Sequence, residues 1–108
     1  VASPSAGAFS GSPINEARYS VFGNTMLVAF KMSLTTAIIN TGTGELRMSL
    51  PVTSTTNSVA NGREDANTGH QLQGQISSTT SSCRIFDYDN AIPMVNTYVI
   101  YMSGIFGW

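Results

Sequence analysis

Charge is what this sequence has least of. Only 10% of its 108 residues are charged, against roughly 25% in an average soluble domain. The five Lys and Arg residues are scattered and the formal net charge is −1, so no basic stripe is present to bind nucleic acid. Ser, Thr, Asn, Gln and Gly must therefore cover the surface, a composition common in secreted proteins, virion proteins and sugar-binding domains.

Cysteine and long apolar runs are also scarce. Cys83 is the only cysteine, so packing, or association with other copies, must hold the fold without an internal disulfide. We interpret Cys83 as a small buried residue rather than a reactive thiol. No run approaches the roughly 20 apolar residues of a membrane helix, and we expect no insertion into a membrane.

The groups that catalysis needs are sparse as well. His70 is the only histidine, and no G-x-S-x-G elbow accompanies it, so we interpret it as a structural or surface residue. Asp87 and Asp89 begin like a calcium loop but lack its closing Glu, which indicates a solvated turn. Glu64 and Asp65 are adjacent, so on a strand they would point to opposite faces and not converge. We therefore expect no enzyme, no metal and no cofactor.

Residues 1–13 are rich in Pro, Gly and Ser and show no period. They have neither the basic region nor the apolar core of a signal peptide. We expect a linker or irregular N-terminal segment at 1–13, with Phe9 as its one sizeable apolar residue, followed by a single domain at 14–108.

Alternation of apolar and polar residues is what the chain has in quantity. Between Thr25 and Pro51 it predicts a long strand, a return at Thr41–Gly44 and a second strand. Further strands are predicted at 17–22, 58–63, 70–77, 83–88 and 95–108, with 35–40 also β-prone. Gly23–Asn24 is a hairpin turn signal, and Gly74 inside its strand indicates a bulge or a close contact with another backbone. At least six short strands predict an all-β, antiparallel, jelly-roll-like sandwich.

The predicted last strand, at 95–108, is apolar on both sides. We expect its own domain to bury one face and a neighbouring copy to bury the other. A closed oligomer would also cover strand edges that lack charged residues.

The order of five motifs resembles small β-sandwich domains of tail fibre and tailspike proteins of tailed bacteriophages. These motifs are R-Y-x-x-x-G-N-x-x-x-V-A-F at 18–30, G-T-G-E-L-R-M-S-L-P-V at 42–52, G-R-E at 62–64, L-x-G-x-I at 72–76 and the aromatic-rich final strand. The likeness spans Arg18 to Trp108. It implies a homotrimer in the virion tail, outside the cell, without catalytic residues and often bound to a receptor.

Candidate contact residues follow from the aromatic side chains and the loops. Tyr88, beside a loop, is the aromatic residue best placed to touch a ligand, and Arg63 and His70 complete the candidate ligand-binding set. The polar segment Ser54–Gly69 is expected to be an outward, variable loop. The candidate residues of the subunit interface are Tyr98, Tyr101, Ile105 and Trp108.

These observations favour a structural and adhesive domain of a phage fibre. It would stabilise the trimer, contact other virion proteins and present loops to a glycan or protein of the host surface. Two alternatives remain open: a carbohydrate-binding module of a secreted enzyme, and a capsid decoration protein.

Overall fold

Eight antiparallel strands form a single sheet in the computed structural model, which describes all 108 residues. The all-β, antiparallel prediction is confirmed. A two-layer, jelly-roll-like sandwich is not confirmed, because all eight strands belong to one hydrogen-bonded sheet in the order β1-β4-β7-β6-β5-β8-β3-β2. The elements are β1 Ala2–Ala6, β2 Ile14–Phe22, β3 Thr25–Ser33, α1 Thr36–Ile39, β4 Thr43–Ser49, β5 Ser58–Glu64, β6 Gln71–Ile76, β7 Ser82–Asp87 and β8 Val99–Gly107.

The β2–β3 hairpin forms where the sequence predicts it. Phe22 lies opposite Thr25 across a two-residue turn, and Gly23 has a φ of +59°, a conformation that costs glycine little. The alternation along β3 is confirmed too, because its even-numbered apolar residues are buried and Leu27 and Ala29 are exposed.

The sheet curls into a half-barrel because its middle is lined by small side chains. On the inner, concave face, Gly74 of β6 lies opposite Ala60 of β5, which lies opposite Gly104 of β8. A Cβ atom added at Gly104 would lie 2.8 Å from the Cβ of Ala60, so only glycine fits without a shift. Gly74 is also closely approached, but by side chains rather than by the predicted backbone, since a Cβ there would lie 2.6 Å from the Cys83 Sγ.

Larger side chains flank this small middle and fill the space inside the curl. We call β1, β4 and β7 the first wing, and β3 and β2 the second wing. The same row continues through Ile85 and Leu46 on the first wing and through Val28 on the second. The core holds Ala2, Met26, Val28, Phe30, Met32, Leu34, Leu46, Met48, Leu50, Ala60, Leu72, Ile76, Cys83, Ile85, Ile100, Met102 and Phe106.

Residues 34–42 carry the chain from the second wing to the first. Five strand spacings separate β3 from β4 in the sheet, about 24 Å if it were flat, and the curl shortens this path. The β-prone segment 35–40 is not a strand but contains α1, whose first turn is capped by Thr35 Oγ1 accepting from the Ile38 N–H at 3.2 Å. A bilayer cannot be crossed by any helix of this structure, since α1 has only four residues.

One segment expected to be irregular contributes a strand, and the strand predicted at 58–63 is confirmed as β5. Residues 1–13 contain β1, which pairs with β4 and buries Ala2, and Phe9 packs against the core. Within the polar segment Ser54–Gly69, β5 lies between β6 and β8. Only the residues that flank β5 are therefore free to act as loops.

A valine at Gly104 tests the curl. We expect Gly104→Val to lower the free energy of unfolding in urea by about 1–3 kcal/mol, the usual cost of overpacking, because the new side chain meets Ala60. Ser103→Val is the matched control, since Ser103 is the exposed neighbour on the outer face of the same strand. Equal stability of the two variants would contradict the role of the small middle row.

Candidate functional site

The rim of the half-barrel gathers the polar side chains that sequence patterns single out. We use "rim" for the end of the sheet formed by residues 64–71, 87–91 and 97–99. Here β5 and β7 end and β6 and β8 begin, so residues far apart in sequence meet.

Glu64 holds the rim together from inside. Its buried carboxylate accepts hydrogen bonds from the backbone N–H groups of Ala66 at 2.8 Å, Asn67 at 2.8 Å, Thr68 at 2.6 Å and Val99 at 3.0 Å. Burial alone would raise the pKa of Glu64, but these hydrogen bonds outweigh it and lower the pKa from 4.5 to about 2. The ionised carboxylate thus fixes the β5–β6 loop to the start of β8.

Sequence reasoning missed the burial of Glu64 because it assigned 64–65 to a polar loop. The two carboxylates do point to opposite faces, as predicted. Asp65 lies outside, with its Oδ1 3.4 Å from the Nε of Arg63. The signal for Glu64 was its place in the alternation, two residues after Gly62 on the inner face of β5.

His70, Asp87 and Tyr88 form the second cluster of the rim. His70 Nδ1 lies 3.3 Å from the Asp87 Oδ2, and the backbone N–H of Tyr88 donates to the Asp87 Oδ1 at 2.9 Å. The two rings meet edge to face, with centroids 5.0 Å apart and planes at 84°. Asp87 is buried rather than in a solvated turn. Its carboxylate contacts the His70 ring and the Tyr88 backbone, while the Tyr88 ring stays exposed.

Side-chain amides lie beside this cluster. Gln73 Nε2 donates to the Asn90 Oδ1 at 2.9 Å and to the Asp87 carbonyl at 3.3 Å. An exposed aromatic ring with neighbouring amides can stack on a sugar and hydrogen-bond its hydroxyl groups.

Neither the core cysteine nor the acidic side chains form a cluster that could hold a metal ion. Cys83 is fully buried in the core, as predicted, and burial raises the pKa of its thiol to about 12. No group of three or more His, Cys, Asp or Glu side chains is arranged to hold a metal ion.

Arg63, the third candidate ligand residue, lies apart from this pair. It is on the outer face of β5, opposite Gln71 and Tyr101 in the neighbouring strands, and its guanidinium lies against Gly69. The structure therefore brings together His70 and Tyr88, and places Arg63 on a different surface.

Three of the four candidate interface residues are on the surface. Tyr101, Ile105 and Trp108 are exposed. Tyr98 is half-buried against the core, and its carbonyl accepts from the Leu34 N–H at 2.8 Å. The outer face of β8 is therefore uncovered in the single chain, whereas its inner face is buried.

Ile105 belongs to a line of apolar side chains across the outer face. It lies opposite Leu27 of β3, and the register of β5 with β8 places Val59 on its other side. The exposed fractions are 37% for Leu27, 58% for Ile105 and 63% for Val59. We call these three residues the outer apolar row.

The comparisons with known proteins add no relative. The scan against protein-family models gives no match, and neither the curated proteins nor the solved structures contain one similar to this chain.

The low pKa of Glu64 predicts an acid-sensitive rim. A carboxyl whose folded pKa is about 2 and whose ordinary value is 4.5 stabilises the fold above pH 4.5 and loses that contribution as the pH falls towards 2. We expect Glu64→Gln to cost at most about 3 kcal/mol at pH 7 and little at pH 2, measured by urea unfolding across pH.

Glu45→Gln serves as the matched control. Glu45 is partly exposed and pairs with Arg47 and Arg84 at 3.4 and 3.5 Å, so its loss should be small. Parallel stability curves of the wild type and Glu64→Gln between pH 2 and 7 would show that the ionised carboxylate is not the anchor.

Proposed function

We propose that this chain is a non-catalytic structural and adhesive domain of a virion, in a tail fibre or tailspike. Copies associate through the outer apolar row, and the rim presents Tyr88 to a glycan of the host surface. The observation that carries the structural part is the uncovered row Leu27–Ile105–Val59 on a sheet with few charges. The virion setting and the number of three copies come from the motif order that resembles phage fibre domains.

Burial of the outer apolar row would be favourable because its side chains are large. Full burial of an aliphatic side chain contributes about 1.5–3 kcal/mol, and each copy brings three of them. Exposed apolar residues in a contiguous line mark interaction surfaces more often than scattered ones do. Association through this face would also supply the second layer that a sandwich needs.

The rim supports adhesion as the second part of the function. The Tyr88 ring packs edge to face against the His70 ring, and the Asp87 carboxylate accepts from the Tyr88 backbone N–H, so part of the freedom of Tyr88 is already lost before a ligand binds. The same arrangement favours a carbohydrate-binding module as the second candidate function. A single chain that binds polysaccharide would support the module, while binding to purified capsids alone would support a decoration protein.

A charge in the outer apolar row tests the assembly. We expect the wild-type mass in sedimentation experiments to be a multiple of three chains. The mass of Ile105→Glu should no longer be a multiple of three chains, because burying an unpaired carboxylate is too costly. Ser103→Glu, two residues away on the same face of β8, should keep the wild-type mass. A wild-type mass that is not a multiple of three chains, or one unchanged by Ile105→Glu, would contradict the proposed trimer.

Removal of the Tyr88 ring tests the adhesion. On a glycan array, we expect Tyr88→Ala to lower affinity at least tenfold, a loss of about 1.4 kcal/mol, and Tyr88→Phe to retain most binding. Ser103→Ala shortens an exposed side chain in the middle of β8, outside the rim and outside the outer apolar row, and should bind like the wild type. Glycan binding that survives Tyr88→Ala would place the ligand elsewhere.

A further inference from the structure

The edge strand β2 is long and weakly protected. It pairs only with β3, and every residue of it except Ile14 is exposed. Edge strands are usually protected by charged side chains, above all Lys, by Pro or by a bulge. The one irregularity of β2 lies between Ile14 and Glu16, so the stretch Glu16–Phe22 is regular, and its only charged residues, Glu16 and Arg18, have opposite signs and lie within 3.9 Å of each other.

The inner face of β2 is also uncovered. Tyr19 lies opposite Val28 and Val21 opposite Met26, so all four side chains point to the concave side. Val28 and Met26 are 6% and 2% exposed, but Tyr19 and Val21 are 62% and 48% exposed. The second wing extends past the core here, and core packing of its own chain leaves these two side chains in water.

A groove runs along this part of the second wing. It has a volume of about 280 Å³, and its opposite wall comes from the first wing and the β4–β5 connection. The residues on that wall are Val1, Met48, Ser49, Leu50 and Pro51. The half-barrel therefore has an open, largely apolar seam bordered by a free strand edge.

We propose that β2 pairs with β2 of a second copy of this chain, antiparallel and around a two-fold axis through Tyr19. This contact is distinct from the outer apolar row and does not depend on the virion setting. It extends the sheet from one chain into the next and sets the apolar inner-face side chains of the two edge strands against one another.

The backbone of β2 is ready for such a partner. In a two-residue hairpin the closing pair, here Phe22 and Thr25, is hydrogen-bonded, and hydrogen-bonded pairs then alternate along the ladder. Ala17, Tyr19 and Val21 consequently direct their N–H and C=O groups to the free edge. A second β2 offers the same groups in the reverse direction.

Two considerations determine the register: the length of the regular stretch, and the relative free energies of ion pairing and of apolar burial. Tyr19 is the midpoint of Glu16–Phe22, so an axis there pairs the whole stretch with itself and sets Ala17 against Val21 of the second copy. An axis through Ala17 would instead set Glu16 against Arg18. Exposed ion pairs contribute only about 0–1 kcal/mol, whereas burial of a large apolar side chain contributes about 1.5–3 kcal/mol. Apolar burial therefore favours Tyr19.

Charge does not oppose this arrangement. With the axis at Tyr19, Arg18 lies opposite Ser20 and Glu16 opposite Phe22, so no like charges face each other directly. The net charge of −1 per chain also keeps repulsion between two copies small.

Cysteine cross-linking tests the partner and the register together. With the axis at Tyr19, the two residues 19 form a hydrogen-bonded pair whose Cα atoms lie about 5.5 Å apart, so a one-carbon thiol cross-linker can bridge two cysteines there without the closer Cβ approach that a direct disulfide needs. We expect Tyr19→Cys to form a two-chain product with this reagent at least tenfold faster than Ala17→Cys and Ser20→Cys. The native Cys83 is fully buried and should not compete.

The outcomes of this cross-linking are distinct. Fastest cross-linking at Ala17→Cys would overturn the register, and equally slow cross-linking at all three positions would overturn the pairing. The Tyr19→Cys substitution removes an apolar side chain from the contact and could itself weaken the pairing. A second measurement is therefore made on a chain whose β2 is unchanged.

Sedimentation of Ile105→Glu supplies that measurement and separates this contact from the outer apolar row. We expect this variant to have twice the 11.5 kDa mass of one chain, and a further Tyr19→Lys change to halve it. A single-chain mass for Ile105→Glu would overturn the β2 pairing and leave the trimer standing. A wild-type mass of two chains would support the pairing and count against the trimer.

Discussion

The close approach of Gly74, Ala60 and Gly104 is the contact on which the rest of the structure depends. These three residues lie side by side across the middle of the sheet, where a larger side chain would meet a neighbour at less than van der Waals distance. Because the side chains on the inner face are small in the middle of the sheet, the sheet can curl until its two wings face each other. The large side chains on those wings then form a core without a second sheet.

The same curl determines which surfaces remain uncovered. A single curled sheet buries its inner face but leaves its outer face to solvent, and the outer apolar row lies there. The curl also stops short of closing the barrel, so β2 and the inner-face residues Tyr19 and Val21 stay exposed. At the rim, the ends of four strands meet around Glu64, whose carboxylate satisfies four backbone N–H groups.

Some of these structural features can be predicted from the sequence pattern, and others cannot. The alternation at 26–32 predicts which residues share a face, but it cannot tell whether a second sheet or the curl of the same sheet covers that face. The β-prone residues 35–40 form a helical turn because the chain must cross between wings there. At the rim, Tyr88 and His70 are the two predicted ligand residues that the structure brings together, and the edge-to-face contact of their rings depends on the pairing of β6 with β7. The burial of Glu64 was not predicted, because a charged residue is normally assigned to the surface even where the alternation places it on the inner face.

The most direct test of this account is the measurement of side-chain NOEs between the two wings in the folded protein. If the sheet is curled, core residues of β3 such as Val28 and Phe30 should show NOEs to core residues on the other wing. Met48 of β4 and Leu50, which directly follows β4, are such residues. Strand-to-strand NOEs that confirm the order of the sheet, without any contacts between the wings, would show an open sheet and contradict the account.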